Sequence, residues 1–519
     1  MSDSKKTIAS SARRFFSGTS VSRLTGLGRE VSMAAVFGTM PAVAAFWMAF
    51  RFAHLLRRLF GEGALHTAFI PHFEHLRKQD PTKSIRFFYD LSVGLSLILL
   101  GIVVVAEAVL GGFLLWGNPS FGNREVLQLT MILLPAILFI CLFSLNTSFL
   151  NCEHSYFLPS VAPALFNLLW IGALFLVWKM EPTLAIRKLA MMIVAAFAIQ
   201  WLITLPRVYR LMGKHRVDAI PPLFGREMLK ILRPFLLGML GVAAMQINSA
   251  FDVIYARAAS MEGPAYLWYA LRLQQLPLAL FGVGLAAALL PPISRAIERR
   301  AYGEYHNFLN YAVHKALVWM IPSTAAILAL GFAGVNLVYG HGHFTREAIL
   351  QTTWCLWAYG LALVPMTLVM LFAAAFYAVK NYKTPAIFAC VSVVINVSLN
   401  ALFVYQFHLG AVSIAIATTV SSTINALLLV WILTKTQEIK WTGIRATSAK
   451  LILSSSVAVG MTYWLSCFLP NMSREFWSQL TVLSAEFALF AASFLLCSLL
   501  LKTPIFGEYK AIPKAGQNQ

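Results

Sequence analysis

Apolar windows of membrane-spanning length recur along this chain, and they constrain its fold more than any other feature of the sequence. A stretch of about 20 residues with few charges can cross the hydrocarbon core of a bilayer as one helix. Such windows lie at residues 17–38, 42–71, 87–116, 126–150, 158–178, 189–206, 236–256, 264–294, 316–339, 348–378, 384–404, 410–434, 451–469 and 477–501. We therefore predict an all-α polytopic membrane protein with about 14 transmembrane helices.

The composition excludes a soluble domain, because 59% of the residues are hydrophobic and only 12% are charged. Lys and Arg are also distributed unevenly. With the N-terminus inside, 28 of the 41 basic residues lie in inside segments, seven in outside loops and six within the membrane. This bias predicts cytoplasmic N- and C-termini, and it explains the net charge of +20 without a nucleic-acid partner.

An internal repeat divides the chain into two halves. FGEGALHTAFIP at 60–71 and FGVGLAAALLPP at 281–292 share FGxG and a closing Pro at an offset of 221, which aligns Arg51 with Arg272. Two pseudo-symmetric six-helix lobes around a central cavity follow, as in transporters built from parallel repeats. The predicted divisions are an N-terminal arm at 1–16, an N-lobe at 17–215, a C-lobe at 216–440, a helix pair at 441–502 and a tail at 503–519.

Arginines inside the predicted membrane segments carry the strongest functional signal. Each costs about 2.5 to 3.5 kcal/mol at the bilayer centre, so these side chains should face a water-filled cavity. A planar, permanently charged guanidinium suits phosphate oxygens, and the expected ligand is a phosphate or diphosphate group. These arginines are Arg23, Arg29, Arg51, Arg57 and Arg58 in the first half and Arg272 in the second.

One helix face of the second window combines several of these groups. Arg51, His54, Arg58 and Glu62 follow at spacings of three and four, which places them on one side of a helix. An alternative stays open for any single arginine, because it could pair with Glu30 or Glu62 and lock helices together. Two acids cannot neutralise five cations, so the set as a whole still predicts an anion site.

A second polar group lies in the C-terminal half. Asp252 stands in the window 236–256, and Ser392, Asn396 and Asn400 are spaced by four, hence on one helix face. Oxygen ligands with one carboxylate suit a hard cation. Hydrogen bonding between helices is the alternative, since Asn and Ser commonly serve that purpose in membrane bundles.

No pattern typical of an enzyme stands in the sequence. It has no Walker-type glycine loop, nucleophile elbow or paired-histidine metal motif, and its six cysteines are scattered singly. The basic start lacks an apolar core with a cleavage site and does not read as a signal peptide. We predict a transporter and not an enzyme.

Several segments resemble the MurJ (MviN) family of bacterial lipid II flippases. They are SRLTGLGREV at 22–31, FRFAHLLRRLFGEGALHTAFIP at 50–71, LNCEHSYFLPSVAPALFNLLWIG at 150–172 and WYALRLQQLPLALFGVGLAAALLPPIS at 268–294. The resemblance implies the multidrug/oligosaccharidyl-lipid/polysaccharide exporter fold, with 14 helices and two of them added at the C-terminus. It also implies a multi-pass protein of the bacterial inner membrane that moves lipid II outward by alternating access, as a monomer.

The resemblance implies roles for individual residues. Arg23, Arg29, Arg57 and Arg272, with Arg58 and Glu62 beside them, would hold the diphosphate and sugar head group. A sodium ion would bind at positions matching Asp252, Asn396, Asn400 and Thr418, and no other cofactor is expected. Acids common in the family are replaced by Ala44 and Leu271, so the cavity should be more basic and should bind an anion such as chloride.

Two other functions remain open at this point. A drug or other polysaccharide-lipid exporter of the same superfamily is disfavoured by the clustered arginines, because exported drugs are usually cationic. A membrane-embedded glycosyltransferase would need a carboxylate base or a metal beside the sugar, and Glu62 is the only acid near the arginines of the second window.

Overall fold

The computed structural model describes residues 5–60, 64–117, 119–213, 225–437, 439, 441, 443–469 and 475–503, and every regular element in these ranges is helical. The chain divides into two compact units, Met1–Ala250 and Phe251–Gln519. The predicted all-α class is confirmed. The boundaries of the two lobes and of the terminal helix pair stay predictions.

Ten helices begin in the first unit. They are α1 Lys5–Phe37, α2 Pro41–Phe60, α3 Ala64–Gln79, α4 Pro81–Trp116, α5 Phe121–Leu133, α6 Ala136–Cys152, α7 Phe157–Val177, α8 Pro182–Leu202, α9 Leu205–Met212 and α10 Arg226–Ala259. Helix α1 packs along α7, and α7 in turn packs along α8. Helix α2 packs on α5, and α6 packs on α8.

Nine further α-helices of the described ranges lie in the second unit, which also has π-helical segments at Leu278–Val283 and Leu402–Gln406. The nine α-helices are α11 Gly263–Pro277, α12 Gly284–Glu298, α13 Tyr302–Tyr339, α14 Arg346–Leu361, α15 Leu363–Ala378, α16 Lys383–Ala401, α17 Val412–Gln437, α18 Ile444–Ser466 and α19 Phe476–Leu500. Helix α13 contacts α12, α14, α15, α18 and α19, and α17 packs on α14, α15 and α16.

Each of the 14 predicted windows overlaps a helix or a run of helices. Within the described ranges, ten helices are long and apolar enough to cross a membrane, and Pro41–Ala53 is a shorter apolar helix. The count of 14 crossings is not confirmed by this measure. The first window, in α1, carries Arg23, Arg29 and Glu30, which lower its mean hydropathy.

Side chains at the helix starts explain several of the helix boundaries. Asp80 accepts a hydrogen bond from the Thr82 N–H at 2.8 Å, and the residue that follows it is a proline. Glu181 accepts from the N–H groups of Thr183 at 3.1 Å and Leu184 at 2.9 Å. The Thr183 hydroxyl also donates to Glu181 Oε1 at 2.5 Å, and this hydrogen bond, followed by the two from the backbone, holds the pKa of Glu181 below its ordinary value.

Aromatic side chains form much of the interior of the first unit. Phe46, Trp47 and Phe50 of α2 surround Trp170 of α7, with ring centroids 5.3 to 6.2 Å from it. All four side chains are at most 2% exposed. Because aromatic pairs contribute beyond their buried area, this cluster fixes α7 against α2.

Candidate functional site

The seam between α1 and α7 places the first predicted arginines. Glycines on α1 turn toward α7: a Cβ on Gly26 would lie 3.5 Å from Asn167 Nδ2, and one on Gly28 would lie 3.7 Å from Ile171 Cδ1. The Asn167 amide donates from Nδ2 to the Ser22 carbonyl at 3.1 Å and to Thr25 Oγ1 at 3.2 Å. A single buried amide therefore holds the SRLTGLGREV segment on α7.

Arg29 is held within the first unit by three different contacts. Its Nη1 donates to Asn167 Oδ1 at 3.0 Å, and its Nη2 donates to Glu30 Oε1 at 2.5 Å. The guanidinium carbon also lies 4.7 Å from the ring centroid of Trp170, a cation–π distance. The carboxylate of Glu30 is buried and lies on the same helix as Arg29, so this ion pair is formed within α1. The contacts that lock α1 to α7 are those of Arg29 with Asn167 and Trp170.

The other arginines of the first unit have different surroundings. Arg23 is exposed on α1, next to Leu24, which is 71% exposed. Arg51 is half-buried on α2. Glu62 lies outside the described residues, and the side chains of His54, Arg57 and Arg58 are not described either, so their predicted shared face stays a prediction.

Arg272 lies on α11 in the second unit. Its guanidinium carbon is 4.4 Å from the ring centroid of Trp268, one helical turn earlier, and its side chain is half-buried. Leu271, one of the two positions where an acid is missing, is also half-buried. Ala44, the other, is fully buried on α2, so its Cβ faces packed side chains and not a water-filled space.

The polar residues predicted to hold a cation come together in the second unit. Asn400 Nδ2 donates to Asp252 Oδ1 at 2.8 Å and to Asn396 Oδ1 at 2.9 Å. Asn396 Nδ2 lies 3.3 Å from Thr418 Oγ1 and 3.5 Å from Ser421 Oγ. All of these side chains are at most 9% exposed.

This donor set fits a hard cation in its chemistry, with one carboxylate, two amide carbonyls and a hydroxyl. Hydrogen bonds within the group already satisfy part of this donor set, because the Asn400 amide donates to two of the oxygens that a cation would need. Arg257 lies five residues from Asp252 and donates to the carbonyl of Met261. Binding of sodium at this place stays a prediction.

Asn167 and Glu486 are among the buried polar residues that sequence reasoning missed. Asn167 stands in α7 within the motif FNLLW, and Glu486 stands in α19, inside the predicted apolar window 477–501. Glu486 is 3% exposed, and α13 and α18 pack against its helix. Both residues could have been singled out from the sequence, because a carboxylate or amide inside an apolar window is rare and energetically costly in a membrane.

Comparison with known proteins identifies the family. The family model described as "Lipid II flippase MurJ" matches residues 33–483. A probable lipid II flippase MurJ of Chlamydia pneumoniae is 32% identical over 93% of this chain and 88% of the relative. The lipid II flippase MurJ of Burkholderia cenocepacia is 31% identical over 79% of this chain and 81% of the relative.

Solved structures agree with the sequence comparison. The structure titled "Lipid II flippase MurJ, inward closed conformation" matches with a TM-score of 0.76 at 25% identity, covering 94% of this chain and 98% of that one. An inward-facing multidrug resistance MATE family transporter matches with a TM-score of 0.64 at 18% identity, which indicates a shared fold. With the family model, the relatives and the fold in agreement, this chain belongs to the MurJ family of lipid II flippases.

Proposed function

We propose that this protein moves lipid II, a polyprenyl-diphosphate-linked peptidoglycan precursor, from the inner to the outer leaflet of the bacterial inner membrane by alternating access. The observation that carries the proposal is the match, over 94% of the chain, to a structure titled as a lipid II flippase. The apolar helices supply the membrane scaffold, and the intramembrane arginines supply the ligand chemistry.

The arginines divide into two kinds in this proposal. Arg23, Arg51 and Arg272, with Arg57 and Arg58 of the same motif, are candidates to hold the diphosphate, because each can donate bidentate charge-assisted hydrogen bonds to phosphate oxygens. Arg29 is engaged with Glu30 and Asn167, so its contribution to the head group would come through the position of α1. Glu62 would orient a neighbouring arginine or a sugar hydroxyl.

Coupling to sodium is the second part of the proposal. Asp252, Asn396, Asn400 and Thr418 would hold the ion, and the Asn400 amide would release its two hydrogen bonds as the oxygens turn to the cation. Sodium supplies a charge that favours one arrangement of these helices over another. A ligand shifts such an equilibrium only by its difference in affinity for the two arrangements.

Both termini are cytoplasmic, the monomer is the functional unit, no nucleic acid binds, and the protein performs no covalent chemistry on its lipid. An anion such as chloride occupies the arginine-lined cavity when lipid is absent. A melting temperature that depends on the identity of the anion supports this last point, and one that follows ionic strength alone opposes it.

Complementation tests the function in cells. Expression of this chain in a strain depleted of its own lipid II flippase should restore growth and cell shape. The same chain with Arg272→Ala should express at a normal level and fail to complement, because the diphosphate loses charge-assisted bonds worth about 1.5 to 3 kcal/mol. Failure of the unsubstituted chain, despite its presence in the membrane, contradicts the proposal.

A further inference from the structure

A buried carboxyl group lies near the middle of α19, and the proposed transport of lipid II gives it no role. Glu486 stands ten residues after the start of this 25-residue helix, and it is 3% exposed. Val482 precedes it by one helical turn and Phe490 follows it by one turn on the same buried face. Because ionisable groups inside apolar membrane helices are costly, a carboxyl at this depth indicates a functional group.

Helix α18 packs against α19 and carries two serines at a similar depth. Ser455 stands 11 residues before the end of α18, and nine residues of sequence separate that end from the start of α19. Such a short connection joins antiparallel neighbours. A rise of 1.5 Å per residue then places Glu486 and Ser455 at about 15 and 17 Å from the connected helix ends.

The hydroxyls of both serines are buried between the helices. Ser454 is 0% exposed and Ser455 is 4% exposed, and neither Oγ atom has a hydrogen-bond partner in the described part of the chain. A buried serine in a helix commonly donates to a carbonyl of the preceding turn, as Ser493 of α19 does to Leu489 at 2.6 Å. Buried hydroxyls are normally satisfied, so these two groups are available to a partner at their own depth.

No cation neutralises Glu486 within the described ranges, where burial acts on its carboxyl group and no charged side chain does. The segments 316–338 of α13 and 451–462 of α18, the two helices packed against α19, contain no titratable side chain. The titratable residues that flank these segments are Lys315 and Tyr339 on α13 and Lys450 and Tyr463 on α18.

Helix α11 also approaches α19, because Leu273 lines a groove together with Leu483. Its charged residue is Arg272, which makes its described contact with Trp268 and does not act on the carboxyl group of Glu486. An ionised carboxylate in a packed interior is costly unless it is paired, whereas the neutral acid can be satisfied by hydrogen bonds.

We propose that Glu486 is a proton-binding site, in which the carboxyl group holds a proton in the folded protein and hydrogen-bonds with the Ser454 or Ser455 hydroxyl. A protonated carboxyl has an O–H donor and a carbonyl acceptor, which match the acceptor and donor of a serine hydroxyl. Loss of the proton leaves a negative charge between packed helices, so the packing of α19 on α18 weakens at alkaline pH. This inference does not depend on which lipid the protein moves.

Infrared difference spectroscopy of the purified full-length protein detects the proton directly. A protonated carboxyl has a C=O stretching band that an ionised carboxylate lacks. At neutral pH, the spectrum of wild-type protein minus that of Glu486→Gln should show this band. The same difference taken with Glu304→Gln, which replaces an exposed glutamate on α13, should not show it.

Serine substitutions locate the hydrogen bond without changing the carboxyl group. Replacing Ser454 and Ser455 together by Ala should shift the carboxyl band to higher frequency, because the carboxyl loses a hydrogen-bond partner. Ser493→Ala removes a hydroxyl that bonds within α19 and should leave the band in place. These variants keep the assignment testable even where Glu486→Gln does not fold.

The pH dependence of stability tests the effect of the proton on packing. In the unfolded chain, a glutamate carboxyl ionises near its ordinary pKa of about 4.3. Above that pH the folded protein retains a proton that the unfolded chain has lost, so stability falls as the pH rises until the folded carboxyl also ionises. Relative to Glu486→Gln, the folding equilibrium constant of wild-type protein should fall by up to about tenfold per pH unit between about pH 5 and 9.

The two measurements decide the inference together. A carboxyl band assigned to Glu486, with a melting temperature that falls relative to Glu486→Gln as the pH rises, supports the proton-binding site. Absence of the band at neutral pH means that Glu486 is ionised and paired, for example with Lys450, and overturns the inference. A band that the double serine substitution does not shift, or parallel melting temperatures across the pH range, overturns it as well.

Discussion

Arg29 shows how a single residue can differ from the group in which its sequence context places it. The family resemblance grouped it with the arginines of the substrate site, whereas the structure gives it Glu30, Asn167 and Trp170 as partners. Glu30 was an expected partner for one of the arginines, but spacing along a helix does not select the adjacent Arg29, because neighbouring residues on a helix do not face each other. Asn167 is 138 residues away along the chain, and no local pattern predicts that pairing.

Replacing Arg29 should therefore affect stability more than replacing Arg23. Arg29→Ala removes the guanidinium that lies 2.5 Å from the buried carboxylate of Glu30. Removing one partner of a buried ion pair typically costs about 3 to 5 kcal/mol. Arg23→Ala removes an exposed side chain and should leave the melting temperature nearly unchanged while it reduces lipid binding. Thermal unfolding of the two purified variants measures this difference, and equal melting temperatures would contradict the locking role of Arg29.

Ala44 is fully buried, although the loss of an acid at this position was expected to make the cavity more basic. An aspartate there could have paired with a cavity arginine, but the Ala44 side chain is 0% exposed. Ala44→Asp should lower the melting temperature, because an ionised carboxylate in a packed interior is costly unless paired. Ala44→Asn has nearly the same volume and no charge, so it isolates the charge. An aspartate variant more stable than the asparagine variant would restore the paired interpretation.

Helices α16 and α17 show what spacing along one helix can predict. The four-residue interval between Asn396 and Asn400 correctly placed them on one face, and the structure brings Asp252 and Thr418 to them. The spacing could not predict that the Asn400 amide would donate to the same oxygens that a cation needs. The cation site and the hydrogen-bonded alternative are thus built from the same atoms.

Sodium should stabilise the wild-type protein more than potassium does, if these oxygens bind it. A ligand present at 100 times its Kd adds about 2.7 kcal/mol to folding stability. Asp252→Asn should abolish the difference between the two cations, and Asp90→Asn, the same change on α4, should preserve it. Melting temperatures in matched sodium and potassium salts measure the effect. Identical values for wild-type protein in both salts leave Asp252 as an interhelical hydrogen-bonding residue.

The carboxylate of Glu227, a titratable group, joins the start of α10 to His72 of α3. Glu227 Oε1 accepts from Lys230 Nζ at 2.6 Å, and Glu227 Oε2 lies 3.0 Å from His72 Nε2. These contacts, the hydrogen bond from Lys230 first, hold the pKa of Glu227 below its ordinary value.

The direction of that shift fixes the pH dependence. A carboxyl with a depressed pKa contributes stability above its unfolded pKa, and the contribution is lost as the pH falls through the folded pKa. Wild-type protein should therefore lose more stability than Glu227→Gln between about pH 6 and pH 3. Glu298→Gln, at the end of α12, serves as the control. Parallel melting curves for wild-type protein and Glu227→Gln across that range would contradict this role.

Across the molecule, the helices depend on local sequence, whereas the contacts between helices do not. Apolar windows predicted the helices because burial in lipid requires length and hydrophobicity, which a short stretch encodes. The contacts of Asn167 with Ser22 and Arg29 depend on how distant helices pack, and no single stretch encodes them. The number of crossings also stayed open, because α1 mixes charged and apolar residues.

Transport of lipid II by the isolated protein tests the account most directly. The purified chain is reconstituted into vesicles with fluorescent lipid II, and leaflet exchange is followed by quenching from outside. Wild-type protein should exchange the lipid without consuming it, and Arg272→Ala should reduce the rate to that of empty vesicles while retaining its melting temperature. Wild-type vesicles that exchange lipid II no faster than empty ones, or that convert it chemically, would contradict the account.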